Sequence, residues 1–161
     1  MLWAVREEHG YPVVWPQDPQ DWIAGADLAG FVAVDSGALI GHVAIQEAAH
    51  ADHGTGGVLG DLWSGAHGRP LASCALLSRL FVAPTRAGGG VGAALLDAAV
   101  DWMRERDLAP CLDLLPIDAR QRPTRRLQEW YQRHGWRVAG EASPTWRQEG
   151  WPPLVAMTLP V

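Results

Sequence analysis

A glycine-rich loop within residues 83–96, APTRAGGGVGAALL, constrains the fold of this chain more than any other stretch. It separates a strand-like apolar run from a helix-like run and has four glycines within five positions: Gly88, Gly89, Gly90 and Gly92. Glycine loses the most conformational entropy on folding, so such a cluster indicates backbone that needs positive φ or a close neighbour. A strand, a glycine loop and a helix in this order predict a phosphate site, because exposed N–H groups and the positive end of the helix dipole favour an anion.

Two familiar phosphate loops fit this stretch poorly. A Walker loop needs Gly-Lys-Ser/Thr, whereas Gly92 is followed by two alanines and the chain contains no lysine. The Rossmann pattern fits better, because Gly88, Gly90 and Ala93 satisfy G-x-G-x-x-A and Asp113 follows about 20 residues later. In that fold, however, the strand runs almost directly into the first glycine, and here Pro-Thr-Arg-Ala intervenes. Too few residues follow Asp113 for the rest of a dinucleotide domain, so an NAD(P) oxidoreductase stays a third hypothesis.

Length and composition exclude several classes of protein. A chain of 161 residues predicts one domain with a sizeable core. The formal net charge of −5 argues against a general nucleic-acid-binding role. Cys74 and Cys111 are too few for a disulfide framework and form no zinc-binding pattern. The N-terminal residues do not resemble a signal peptide, and no apolar run is long enough to span a membrane, so we expect a cytoplasmic protein without membrane contacts.

Hydrophobic patterning predicts alternating strands and helices. The expected strands are LWAVREE, the hairpin GFVAVDSGALIGHVAIQEA with its turn at Asp35-Ser36-Gly37, CALLSRLFVA, PCLDLLP, WRVAGEA and PLVAMTLP. The expected helices are PQDWIAG with Asp18 as cap, a short one around residues 59–64, residues 91–107, and PTRRLQEWYQRHG with Pro123 in its first turn and Gly135 at its end. Residues 49–70, rich in Gly, His and Asp, read as a flexible excursion that faces substrate.

Two stretches of the sequence resemble the GCN5-related N-acetyltransferase (GNAT) family. The stretch LSRLFVAPTRAGGGVGAALLDAAVDWM is similar to motif A of that family, with a strand end at residues 80–82, Pro84, and Gly-x-Gly at residues 90–92. In LQEWYQRHGWRVAGEA, Tyr131 and the following Gly135-Trp136 match the family's Leu-Tyr-x-x-x-Gly-Phe pattern. One departure is that Ala87 occupies the family's Gln/Arg position, while Arg86 lies one place earlier.

The resemblance implies a fold and a cofactor. It implies one N-acetyltransferase domain over residues 1–161, with a mixed, mostly antiparallel α/β sheet that is flanked by helices and splayed between its fourth and fifth strands. Acetyl-CoA would be the acyl donor, and no metal is expected. Main chain of Leu80, Phe81 and Val82 would pair with the pantetheine amides. Amides of the loop would hold the pyrophosphate, from residues Gly88, Gly89, Gly90, Val91, Gly92 and Ala93.

The resemblance also implies candidate catalytic residues. A neutral amine would attack the thioester directly, and Tyr131 would protonate the leaving thiolate. Asp113 is the first candidate for the base, because it lies in the middle of a strand where an unpaired carboxylate is costly. Glu47 and His42 are further candidates, with a solvated strand end and a core histidine as their alternatives.

Other roles stay open at the level of the sequence. Metal ligation within residues 49–70, by His50, Asp52, His53 and His67, is an alternative to a substrate-facing loop. The acceptor we expect is a small, partly apolar amine, and a homodimer is common in such folds. A CoA-binding sensor without turnover is the alternative function from another class.

Overall fold

The chain folds around a mixed six-stranded sheet with helices on both faces. The computed structural model describes residues 1–25 and 28–161. In chain order the elements are α1 (Leu2–His9), α2 (Pro19–Ala24), β1 (Ala29–Asp35), β2 (Ala38–Glu47), α3 (Val58–His67), β3 (Cys74–Val82), α4 (Val91–Arg104), β4 (Ala109–Leu114), α5 (Arg126–Arg133), β5 (Arg137–Ala142) and β6 (Leu154–Thr158). Within the described residues, no helix combines the length and the apolar character that crossing a bilayer requires.

The order of the strands confirms the expected fold class. The sheet runs β1-β2-β3-β4-β6-β5, and among these pairs β3 with β4 is parallel while the others are antiparallel. A dinucleotide-binding domain is built on a mostly parallel, doubly wound sheet. The Rossmann alternative is therefore wrong for this chain.

The parallel ladder at the centre of the sheet is short. It pairs residues 74–76 of β3 with residues 109–111 of β4. Beyond that point β3 continues to pair with β2, and β4 continues to pair with β6. Past this short ladder, β3 and β4 thus belong to opposite halves of the sheet. The ends of these strands, which are the fourth and fifth strands of the sequence prediction, border the candidate site.

The first element is a helix, so the predicted strand LWAVREE is wrong. Leu2 and Val5 are its buried residues, and their spacing of three places them on one helical face, where they pack near Phe81. Gly10, at φ 72°, ends the helix, and its N–H donates to the carbonyl oxygen of Arg6 at 2.8 Å. The alternation suggested by Trp-Ala-Val is overridden by this packing and by a good C-cap.

The other predicted elements are present, with one shifted boundary. The hairpin turns at Ser36 and Gly37, at φ 50° and 80°, and Asp18 caps α2 by accepting hydrogen bonds from two backbone N–H groups. Helix α5 begins at Arg126 rather than near Pro123, because Pro123 forms an isolated bridge with Ile117 and the chain is still irregular there.

Two hydrophobic clusters cover the two faces of the sheet. Helices α4 and α5 pack on one face, where Leu96, Met103 and Tyr131 are buried. On the other face α3, from the segment that the sequence presents as a flexible excursion, buries Leu59 and Trp63. The Trp63 indole N–H donates to the carbonyl oxygen of Leu112 on β4 at 3.1 Å, which ties this segment to the centre of the sheet.

Candidate active site

The glycine loop presents free backbone N–H groups at the start of α4. Gly88 and Gly90 have φ of 80° and 81°, and a Cβ at either position would meet no heavy atom within 4 Å. The first hydrogen bond of the helix runs from Ala94 N–H to Gly90 O, at 3.0 Å. The amides of residues 91–93 therefore have no acceptor within the helix, and they lie beside open space at its positive end.

Gly92 brings α4 close to two neighbouring elements. A Cβ on this residue would lie 3.6 Å from Val82 Cγ2 and 3.7 Å from Trp130 Cζ2. The end of β3, the start of α4 and α5 thus meet at one glycine. A larger side chain would fill the space between them. Arg86, just before the loop, forms an ion pair with Asp35 in the β1–β2 hairpin.

A β-bulge interrupts β3 just before the strand end. The register with β2 shifts between His42 and Ala44, and Arg79 has φ 52°. His42 Nδ1 lies 3.0 Å from the Arg79 carbonyl oxygen, and its ring stacks on Phe81 at 5.3 Å. Burial lowers the pKa of His42. His42 is therefore a buried residue that supports the bulge, in line with the core alternative to a catalytic role.

The strand after the bulge has backbone groups that point away from β2. Ala83 N–H donates to Ile40 O at 2.8 Å. Neighbouring residues alternate in direction along an antiparallel ladder, so the N–H and C=O of Val82 point toward the opposite side. The ladder with β4 pairs residue 76 as its last residue of β3. Beyond Leu76, the edge of β3 that faces β4 can accept another extended chain.

Tyr131, on α5, lies in the core on one face of the sheet. It is buried and makes edge contacts with Trp130 and Trp136, at ring distances of 4.9 and 5.8 Å. Burial, followed by the nearby Tyr11 and Asp113, raises the pKa of Tyr131. The phenol therefore keeps its proton at neutral pH. Within the described part of the chain its hydroxyl has no hydrogen-bond partner.

Asp113, on β4, contacts a histidine from a distant part of the sequence. Its Oδ2 lies 3.1 Å from Nδ1 of His53, and the two residues are 60 positions apart. The hydrogen bond to this carboxylate raises the pKa of His53, against the opposing effect of burial. Asp113 and Tyr131 also lie close enough for the charge of Asp113 to act on the phenol.

The loop that carries His53 is built around Asp52. The Asp52 carboxylate accepts hydrogen bonds from the N–H groups of Gly56 and Gly57 and from the Thr55 hydroxyl, at 3.1, 2.6 and 2.8 Å. These bonds, that of Gly57 foremost, lower the pKa of Asp52. The loop is therefore a hydrogen-bonded turn rather than an irregular excursion.

A cavity of about 230 Å³ opens between α2, the end of β2, this loop and the bulge. Its wall combines aromatic and polar side chains, among them Tyr11, Trp22, Glu47, His53, Ser78 and Arg79. Arg79 lies over the Trp22 ring, at 5.4 Å from its centroid. Glu47 Oε2 lies 3.5 Å from His50 Nε2. The cavity thus adjoins the bulge in β3, and its wall carries both the Glu47 carboxylate and the Arg79 guanidinium.

The comparison with protein families identifies the architecture. Residues 2–136 match the model described as the Acetyltransferase (GNAT) family. This chain belongs to the GNAT family. The resemblance seen in the glycine loop and around Tyr131 is thus confirmed, as is the expected assignment to the acyltransferases of GNAT type.

Solved structures share this fold at low sequence identity. The ribosomal-protein-S18-alanine N-acetyltransferase of Escherichia coli is 17% identical, with a TM-score of 0.64, over 99% of this chain and 84% of that one. An acyl-CoA N-acyltransferase of Pseudomonas aeruginosa is 16% identical, with a TM-score of 0.55, over 98% and 86%. The PaiA N-acetyltransferase of Thermoplasma acidophilum, in complex with coenzyme A, is 15% identical, with a TM-score of 0.52, over 88% and 66%. No curated protein matched.

The structure of this GNAT protein brings most predicted site residues to one region. The start of α4, the end of β3 and Trp130 meet at Gly92, Tyr131 packs against Trp130, and Asp113 lies on β4. Glu47 lines the adjoining cavity. His67 is not part of this region, because its Nε2 lies 3.0 Å from the Pro110 carbonyl oxygen. In the described ranges, His, Cys, Asp and Glu side chains form no group of three that could hold a metal ion.

Sequence reasoning missed the pairing of His53 with Asp113 and the place of Tyr11 in the cavity. His53 was one of several polar residues in a glycine-rich segment, and nothing in its spacing relates it to a strand 60 residues later. Tyr11 lies in a proline-rich loop, which carries no periodic signal. Burial raises its pKa, as it does for Tyr131. Both residues are brought into the site by tertiary contacts alone.

Proposed function

We propose that this chain transfers an acetyl group from acetyl-CoA to a small primary amine, and that residues 1–161 act as one N-acetyltransferase domain. The observation that carries the proposal is that the start of α4, the end of β3 and Trp130 of α5 meet at Gly92, where helix amides lack acceptors and Tyr131 packs against Trp130. Membership of the GNAT family supports acyl-CoA chemistry in general. Acetyl-CoA as donor and an amine as acceptor are the specific part of the proposal.

The donor would lie across the opening between β3 and β4. The amides of Gly88 through Ala93 hold the pyrophosphate in this proposal, because those of residues 91–93 have no acceptor within the helix and lie at the positive end of α4. Main chain of the segment 80–82 pairs with the pantetheine amides as an added strand would, through groups that point away from β2, such as those of Val82. The Thermoplasma structure in complex with coenzyme A supports the same ligand class for this fold.

The acceptor would enter the cavity beside the bulge. Its volume of about 230 Å³ lies below the 300–1,000 Å³ that is typical of sites for drug-sized ligands. The wall offers Trp22 for an apolar group and the Glu47 carboxylate for an ammonium. We therefore propose a small, partly apolar amine, or the amino end of a longer molecule, as the acceptor.

The proposed chemistry is direct attack with acid and base assistance. The acceptor ammonium loses a proton on the side of Asp113, and the neutral nitrogen forms a bond to the thioester carbonyl carbon. As the carbon–sulfur bond breaks, the Tyr131 hydroxyl donates its proton to the sulfur. Tyr131 regains a proton that the nitrogen releases, through solvent, as the amide forms. The raised pKa means that Tyr131 is in the protonated form that this role requires at neutral pH.

Ligand-dependent melting and thiol release test this function in two steps. Acetyl-CoA at a hundred times its Kd stabilises the protein by about 2.7 kcal/mol, a clear rise in Tm, whereas NAD and NADP leave Tm unchanged. Free thiol is then measured with acetyl-CoA and a panel of ethylamine, tryptamine, spermidine and L-alaninamide. Stabilisation by CoA without turnover of any amine would favour the CoA sensor. Stabilisation by NAD alone would overturn the proposal.

Two further expectations remain predictions. The prediction of a homodimer is tested by measuring the mass of the protein in solution by light scattering. A cytoplasmic location requires fractionation of cells that produce the protein.

A further inference from the structure

A histidine outside the predicted catalytic set contacts the predicted base. His53 Nδ1 lies 3.1 Å from Asp113 Oδ2. A carboxylate oxygen only accepts hydrogen bonds, so Nδ1 carries the hydrogen of the neutral ring. The lone pair on Nε2 is then free to accept a proton. A base whose orientation is fixed by a third group is the general arrangement of such proton-transfer pairs.

His53 reaches the acceptor cavity, whereas Asp113 lies behind it. The side chain of Asp113 is 11% exposed, and that of His53 is 40% exposed. His53 lines the cavity of about 230 Å³, and Asp113 is not among the residues that do so. A group that takes a proton from the acceptor must come within hydrogen-bond reach of it. Of the two members of the pair, His53 meets this condition.

The position of the His53 ring is fixed by the loop on either side of it. The Asp52 carboxylate accepts hydrogen bonds from Thr55, Gly56 and Gly57 and so closes the turn that follows it. The carbonyl oxygen of His53 itself accepts a hydrogen bond from the Trp146 indole N–H, at 2.8 Å. These four hydrogen bonds hold the backbone from which the imidazole extends to Asp113. Such support is what a catalytic group needs to keep its geometry.

We infer that Nε2 of His53 accepts the proton that the acceptor ammonium loses before it attacks, and that Asp113 positions the ring. This rests on the proposed acetyl transfer and replaces Asp113 as the direct base. The ammonium N–H bond breaks, its electron pair stays on the amine nitrogen, and a new N–H bond forms at Nε2. The Asp113 carboxylate stabilises the imidazolium. His53 then releases the proton to solvent, so that one proton leaves for each acetyl group transferred.

The charged surroundings of His53 define the sign of its pH dependence. Asp113 faces it from β4 and Asp52 from its own loop, and Glu47, His50, Arg79 and Tyr11 share the cavity wall. The hydrogen bond to Asp113 raises the pKa of His53 above its usual value near 6.5. His53 acts as a base only when neutral. Therefore kcat/KM rises with pH through this raised pKa.

Two amines that differ mainly in basicity test the role of His53. Ethylamine is protonated at pH 7 and needs a base, whereas 2,2,2-trifluoroethylamine is largely neutral and does not. We expect His53→Gln to lower kcat/KM for ethylamine by about 100-fold, the usual scale for a general base, and to change the value for trifluoroethylamine far less. His9→Gln, at the exposed end of α1, is the matched control and keeps the wild-type values.

A titration followed by NMR gives a second readout that needs no turnover. In the wild type the His53 ring titrates above pH 6.5, and Asp113→Asn lowers its pKa and moves the acid limb of kcat/KM to lower pH by the same amount. Wild-type kcat/KM for ethylamine in His53→Gln, or an unchanged acid limb, would overturn the role of His53 alone. Wild-type protein that acetylates no amine of the panel would instead overturn the proposed function, and this inference with it.

Discussion

The indole N–H of Trp146 donates a hydrogen bond to the backbone carbonyl oxygen of His53, at 2.8 Å, across 93 positions of sequence. The same two loops share a second bond, from Thr145 N–H to the Gly54 carbonyl oxygen at 3.0 Å. The segment between β5 and β6 thus holds the loop that presents His53 to Asp113. Residues distant in sequence thereby contact the backbone of the loop whose His53 side chain lines the cavity.

Trp146→Phe tests whether this contact positions His53. Phenylalanine keeps an aromatic ring and removes the N–H, so we expect a stability loss of about 1 kcal/mol or less, since the indole is partly exposed. We expect kcat to be clearly reduced, KM to be nearly unchanged, and Tm to change little. The measurement is steady-state thiol release beside a melting curve. Equal kcat in the mutant would mean that the Thr145–Gly54 bond alone fixes the loop.

Gly92→Val should abolish CoA binding while the protein still folds. The added γ-carbons would extend from a Cβ that already lies 3.6 Å from Val82 Cγ2 and 3.7 Å from Trp130, and they would narrow the opening beside the free amides. Gly65→Val is the matched control. It is also a helical glycine, but nothing lies within 4 Å of its Cβ position. Calorimetric titration with CoA distinguishes the two variants. Normal CoA binding by Gly92→Val would mean that the glycine loop is only a turn and not a phosphate site.

Gly90→Val should lose CoA for a different reason. Gly90 has φ 81°, a conformation that a β-branched residue adopts only with strain. Because the space around its Cβ is open, the cost arises in the backbone, and the free amides of α4 would turn away from the ligand. Circular dichroism should show an intact helix content and a lower Tm. Retention of both Tm and CoA affinity would show that the turn tolerates this change.

Tyr131→Phe should reduce turnover with little effect on folding. Phenylalanine keeps the edge contacts with Trp130 and Trp136, and the hydroxyl has no partner among the described residues, so Tm should stay close to that of the wild type. If the hydroxyl protonates the leaving thiolate, kcat and kcat/KM both fall by about 100-fold, while acetyl-CoA affinity is kept. Full turnover in this variant would leave the thiolate to be protonated by water.

Asp52→Asn should make stability less dependent on pH in the acid range. The hydrogen bonds that the carboxylate accepts lower its pKa in the folded state. A carboxyl whose pKa is lowered by folding stabilises the folded state at pH values above its unfolded-state pKa. This contribution disappears as pH falls through the folded-state pKa. The mutant should therefore melt below the wild type at pH 7, and the difference in Tm should shrink as pH falls through the lowered pKa of Asp52. A constant difference in Tm across this range would contradict the assignment.

The periodic and capped elements were predictable because their signals are local. The β1–β2 hairpin has its turn at Ser36-Gly37, α4 has an apolar stripe, and Asp18 and Gly135 mark helix ends. The first element failed because Trp-Ala-Val suits a strand, whereas packing of Leu2 and Val5 against Phe81 selects a helix. Local preference is a weak guide where few residues decide between the two.

In the candidate site too, the residues with local sequence signals were predictable and those that depend on tertiary contacts were not. The glycine loop and Tyr131 were predictable because their motifs are contiguous in sequence. The contact of His53 with Asp113 was not, because it depends on how α3 packs on β4 through Trp63 and on how the Asp52 turn closes. Sequence spacing carries no information about such a contact, and only the assembled sheet brings the two side chains together.

The anchors of the His53 loop impose an order on its maturation during synthesis. Asp113 leaves the ribosome 60 residues after His53, and Trp146 leaves it 93 residues after. Contacts of such long range form late, because closing long loops is entropically costly before other contacts support them. The glycine loop and the first turns of α4 are complete well before Trp146 emerges. The hydrogen bond that holds the His53 loop can therefore form only after the whole glycine loop and α4 have been synthesised.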